Sequence, residues 1–138
     1  MIQKLELYTT NIQGRVTGFF TDFKIGKIKL ANHLDTKDEI GVLDVAPTFA
    51  KQLLLKEDSG LKSKRVPLYV CRCCADLGCG ATTAKIERTE KSFIWSDFRR
   101  ENNYEESSHQ TEFMKRTGPF EFDAENYISA IQPYTKKN

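Results

Sequence analysis

Long apolar runs are missing from this 138-residue chain. None approaches the roughly 20 residues needed to span a bilayer, so no membrane-embedded role is expected. The opening stretch Met1-Ile2-Gln3-Lys4-Leu5-Glu6-Leu7 has no continuous apolar segment of the kind that directs export. A dominant charge is also lacking: 21 Lys+Arg face 19 Asp+Glu, a formal net charge of +2. That excess is too small for a general nucleic-acid binder. There is no phosphate-cradling Gly-rich loop, no H-E-x-x-H and no G-x-S-x-G. Internal repeats and low-complexity tracts are absent too. The four cysteines are not spread along the chain as a secreted disulfide framework would require. With these signals missing, the expected setting is a reducing, bacterial-type cytoplasm.

The length fits a single domain, residues 1–138, able to bury roughly two-thirds of the surface an unfolded chain exposes. Leu5-Glu6-Leu7-Tyr8 alternates apolar and polar residues and reads as a half-buried first strand. Asn11-Ile12-Gln13-Gly14 is a turn candidate. Gly18 to Phe23 fits either a short helix or a strand, and Lys24 to Asp38 reads as polar and irregular, anchored by Ile25, Ile28 and Leu30. Ile40 to Val45 is a short apolar run consistent with a buried strand. Ala46, Phe49, Ala50, Leu53 and Leu54 then recur at helical spacing, with Pro47 suited to a first helical turn.

Arg65 to Cys73 is the strongest strand candidate, and Pro67 implies an unpaired edge early in its length or a position just before pairing starts. Ala81–Arg88 and Ser92–Phe98 form β-rich runs around the polar Thr89-Glu90-Lys91, which predicts a hairpin. Phe93 and Trp95 share one face of the second run, as core residues do. Arg99 to Thr117 reads as loop. Asp123 is a good helix N-cap, with Phe122 and Tyr127 in staple positions and Pro133 ending the helix. The fold class expected is α+β, a mostly antiparallel sheet with two main helices packed on one face.

The chemistry-bearing feature is Cys71-Arg72-Cys73-Cys74-Ala75-Asp76-Leu77-Gly78-Cys79-Gly80. Cys71 and Cys74 make a C-x-x-C pair and Cys79 follows after four residues. A short turn of this kind can present two thiolates to zinc, with Cys79 as third ligand and Cys73, His109 or His33 as fourth. No second C-x-x-C or C-x-x-H completes the pattern. A thiol-redox role competes, with Arg72 as a nearby cation and His109 as a base. The plainest reading treats the cysteines as small buried hydrophobes, with Gly78 and Gly80 shaping a tight turn and Asp76 capping backbone N–H groups. On that reading no cofactor is needed, and zinc belongs to the alternative. Both histidines lie in polar stretches and are expected to face solvent.

Tyr69 to Gly80, with Ala81-Thr82-Thr83-Ala84 and Trp95-Ser96-Asp97-Phe98, resembles a group of small bacterial proteins. They carry a Y-V-C-x-x-C-G-D-x-G-C-G-A-x-T core followed by a W-x-D-F strand. The similarity extends weakly through Asn102-Asn103-Tyr104 and Gly118 to Asp123, covering the C-terminal half from about Arg65. The matching positions are Cys71, Cys74, Asp76, Gly78, Cys79 and Gly80. Ala75 stands where the group tends to have glycine, and Cys73 is an additional thiol. The group has no established activity, so the resemblance implies no function.

Charge is uneven along the chain. Leu61 to Ser92 holds seven basic residues against three acidic, whereas Glu101 to Asn126 holds seven acidic against Lys115 and Arg116. An acidic segment of this kind can steer a basic partner. The function expected first is therefore non-enzymatic: a cytoplasmic protein-binding domain, in concrete form a bacterial immunity protein that neutralises a basic toxin domain. Glu101, Glu105, Glu106 and Glu112 would form its contact surface. The alternative is a small zinc-binding or thiol-redox protein using Cys71, Cys74 and Cys79.

Overall fold

The computed structural model describes residues 2–12, 18–104 and 108–136. Its main element is a six-stranded sheet in the order β1-β9-β8-β7-β6-β5. These strands are β1 (Ile2–Gln3), β5 (Glu39–Gly41), β6 (Val66–Cys71), β7 (Ala81–Arg88), β8 (Ser92–Glu101) and β9 (Phe120–Asp123). All neighbours run antiparallel except β1 beside β9. A separate three-stranded antiparallel sheet is formed by β2 (Leu5–Asn11), β3 (Phe19–Ile25) and β4 (Ile28–Lys29). The helices are α1 (Leu30–Leu34), α2 (Pro47–Leu53), α3 (Glu112–Lys115) and α4 (Ala124–Ile131). The fold is α+β with a mostly antiparallel sheet, as the sequence pattern predicts.

Punctuation in the sequence sets several of these boundaries. Pro47 occupies the first turn of α2, where its missing N–H costs nothing. The Asp123 carboxylate accepts from the Asn126 N–H at 2.9 Å and caps α4. Phe122 and Tyr127 stack with ring centroids 5.6 Å apart, completing the staple. After Ile131 the chain tightens into a 3₁₀ turn, Gln132–Lys136, that accommodates Pro133. The β7–β8 hairpin closes where Thr89 N–H donates to the Ser92 carbonyl at 2.9 Å.

Other segments depart from the pattern. Gly18 to Phe23 is resolved in favour of a strand, β3, paired along its whole length with β2. The irregular stretch after it contains β4 and α1, with Ile25 and Leu30 buried as anchors. Only Glu39–Gly41 of the next apolar run is strand, since Val42–Asp44 turns as 3₁₀ helix. Within Arg99 to Thr117, β8 runs on to Glu101 and α3 follows. Pro67 is tolerated in β6 because the ladder to β7 shifts register between Pro67 and Tyr69. On the other side β5 pairs only with Tyr69, Val70 and Cys71, which leaves the Pro67 end of β6 uncovered. The Asn11–Gly14 turn lies partly outside the described residues.

An aromatic cluster holds the layers together. Trp95 is fully buried and meets Phe23 at 5.1 Å, Phe122 at 5.0 Å and Tyr127 at 6.0 Å, all edge to face. Its indole N–H donates to the Tyr127 hydroxyl at 3.1 Å, and that hydroxyl donates to the Leu53 carbonyl at 2.7 Å. One phenol thus links β8, α4 and α2, the two main helices on the sheet. Asp22 of β3 is buried and accepts from Tyr8 at 2.7 Å, from the Ala31 N–H at 3.1 Å and from Tyr69 of β6. A carboxylate without these donors would be expensive to bury. Here it ties the small sheet to the large one.

Candidate metal centre

The candidate centre is built by the turn that leaves β6 and enters β7. Cys71 ends β6, half-buried, while Cys73, Cys74 and Cys79 are exposed. Three local devices shape the turn. Ala75 N–H donates to the Cys71 carbonyl at 2.8 Å, and Ala75 itself adopts the left-handed region at φ 55°. The Asp76 carboxylate accepts from the Gly78 N–H at 3.0 Å and caps a 3₁₀ turn over Leu77–Cys79, the role expected of it. Gly80 then takes φ +99°, and a Cβ there would lie 2.8 Å from the Arg100 guanidinium. The positive φ is what favours glycine at this position.

This folding brings the Sγ atoms of Cys71, Cys74 and Cys79 within 4.8 Å of one another. The Cys74 and Cys79 sulfurs lie 2.9 Å apart and share a hydrogen bond. Backbone N–H groups of Cys74 and Cys73 point at the Cys71 sulfur and hold its pKa below the ordinary thiol value, helped by the other two thiols. The hydrogen bond to Cys74 acts oppositely on Cys79, pushing its pKa up to about 11. The cluster therefore combines one sulfur predisposed to carry charge with one that holds its proton.

The expectation that these cysteines serve as core packing is overturned. Along β6 the buried core ends at Val70; Ala75 and Leu77 of the turn still pack partly against it, while Cys71 is half-buried and Cys73, Cys74 and Cys79 are exposed. Of the fourth ligands considered, none joins the group among the described residues. Cys73 is exposed and outside the converging group, and His33 and His109 are exposed as expected. His109 is fixed instead by paired backbone hydrogen bonds to Arg100.

Beside the thiols opens a cleft of about 620 Å³, within the range of small-molecule sites. It is lined by Cys71, Cys79, Gly80 and Arg100 together with Leu34, Glu39 and Phe113. Glu39 lies opposite Cys71 in the β5–β6 register. Its buried carboxylate pairs with Arg100 and accepts from the Thr82 hydroxyl at 2.6 Å. Burial raises the Glu39 pKa, against the opposing pull of Thr82 and Arg100. Sequence reasoning missed this pair, because Glu39 and Arg100 are brought together only by the strand order β5-β6-β7-β8.

The acidic contact surface is altered by the fold. Glu101 is corrected as a contact residue, since its side chain is only 6% exposed. It accepts from Ser63 at 2.7 Å and Thr83 at 2.6 Å and pairs with Arg65 at 3.0 Å. The physical reason is that buried Arg65 needs a carboxylate, and Glu101 and Asp97 supply it. Glu112 is exposed at the start of α3. Glu105 and Glu106 lie outside the described residues. Among the described residues, no helix is long and apolar enough to cross a membrane. Compared with protein-family models, with curated proteins and with solved structures, the chain matches none.

Proposed function

We propose that the protein binds a thiophilic divalent metal, zinc foremost, through Cys71, Cys74 and Cys79. The observation that carries this reading is the convergence of the three sulfurs within 4.8 Å. Zinc–sulfur bonds of about 2.3 Å in a tetrahedron set sulfurs roughly 3.8 Å apart. Seating the ion requires the Cys74 and Cys79 sulfurs to part by about an ångström, a side-chain adjustment in an exposed turn. Binding replaces the thiol protons, so it is accompanied by proton release and strengthens as pH rises.

The aromatic core is complete without these residues, so the metal is not the core's organiser. Three protein ligands with a fourth position left open is the arrangement of functional zinc sites, whereas structural sites close all four. The protein-recognition reading, a cytoplasmic immunity domain facing a basic toxin, keeps Glu112 on the described surface but loses Glu101 to an internal ion pair. It ranks second for that reason.

Metal analysis of the purified protein tests the proposal. One zinc per chain is expected, with Cys74→Ser weakening affinity at least about a hundredfold. Alkylation mapped by mass spectrometry should find Cys71, Cys74 and Cys79 shielded by zinc and Cys73 still reactive. Equal labelling of all four thiols with and without zinc would overturn the reading.

A further inference from the structure

Cys71 and Cys79 belong to the wall of the 620 Å³ cleft, and Cys74 does not. A metal held by all three sulfurs therefore has two of its ligands at the cleft surface and sits at the border of that space. The cleft offers two further features. Phe113 is 50% exposed although its neighbour Met114 is buried, and it lines the cleft together with Leu34. Its bordering carboxylates are largely met by cations: Glu39 pairs with Arg100, Asp38 with Arg72 at 3.5 Å and Glu112 with Lys115 at 3.4 Å, while Asp35 and Lys37 also border it. A cleft whose charges are paired, beside three thiolates, gives an anion little to pair with, and its apolar wall favours an uncharged aromatic molecule.

Resting on the three-thiolate reading, we infer that the cleft receives an uncharged aromatic nitrogen heterocycle. The ring nitrogen's lone pair fills the fourth metal position, and the body of the ligand lies against Phe113. Imidazole nitrogen is a good donor to divalent zinc and cobalt, and a ring in van der Waals contact with Phe113 gains apolar burial.

The test uses the full chain loaded with Co²⁺, whose visible spectrum reports the coordination sphere. Thiolate-to-cobalt charge-transfer absorption, measured before any ligand is added, establishes the three-sulfur site separately. Titration with 4-phenylimidazole, imidazole and acetate follows, at a mildly alkaline pH where imidazoles are uncharged. Both imidazoles should shift the d–d bands, and 4-phenylimidazole should bind about tenfold tighter than imidazole. Phe113→Ala should abolish that preference while leaving the charge-transfer band unchanged, and acetate should have no effect. Charge-transfer absorption with bands indifferent to both imidazoles would overturn the cleft inference alone. So would a phenyl preference that survives Phe113→Ala, or acetate binding as well as imidazole. Absence of the charge-transfer band would overturn the metal reading and this inference together.

Discussion

Strand β6 joins two regions with opposite characters. From Val66 to Val70 every residue is buried, and Tyr69 reaches the Asp22 carboxylate at the junction of the two sheets. One residue later Cys71 opens a turn whose other three cysteines are exposed. The first region is fixed by long-range contacts from β3, β5 and β7. The second is fixed by a short-range carboxylate cap and two left-handed residues, Ala75 and Gly80. Stability and chemistry are thereby assigned to adjoining stretches of one strand and its turn. Changes in the first should alter folding, and changes in the second should alter thiol behaviour with little effect on folding.

The largest effect is expected at Trp95. Trp95→Ala should cost about 4 kcal/mol by leaving a cavity among Phe23, Phe122 and Tyr127. Urea unfolding measures this, and a loss below about 1 kcal/mol would place the core elsewhere. Tyr127→Phe should cost about 2 kcal/mol, since the Trp95 N–H and the Leu53 carbonyl both lose a buried partner. Against these, Cys74→Ser should leave the urea midpoint of the metal-free protein unchanged while removing metal binding. A large shift in that midpoint would erase the distinction between the regions.

A subtler effect concerns pH. Because Cys71 has a lowered pKa and Cys79 a raised one, Cys71 gains its thiolate first as pH rises. Alkylation of the metal-free protein near neutral pH should mark Cys71 before Cys79. Cys79 should gain reactivity only toward its pKa of about 11. Simultaneous labelling of the two would contradict the hydrogen-bond pattern. The smallest effect belongs to Ala75→Gly, which relieves a left-handed alanine and should stabilise the protein by about 0.5 kcal/mol.

What could be read from the sequence follows the range of the interactions. Helix ends at Pro47 and Asp123, and the hairpin around Glu90, depend on residues a few positions apart, and all three were legible. The strand identity of Phe19–Ile25 was not, because its alternation is broken: Asp22 and Phe23 are adjacent and both buried. Asp22 is buried only because Tyr8, Tyr69 and Ala31 arrive from other elements to satisfy it. Glu101 was misread for the same reason, since its partner Arg65 enters from the loop just before β6. The spacing of Cys71, Cys74 and Cys79 did single out the three thiols that the fold brings together. Their exposure was hidden because cysteine's usual preference for the interior says nothing about a turn projecting beyond a sheet.

The large sheet is bordered by its shortest members, two-residue β1 on one side and three-residue β5 on the other. Neither margin offers a long row of unpaired backbone groups, and the β5 margin carries the inward-pointing charge of Glu39. Such margins are poor templates for a strand from another molecule. The thiol turn can therefore remain accessible at the end of β6 with little risk of the sheet growing by recruiting neighbours into fibres.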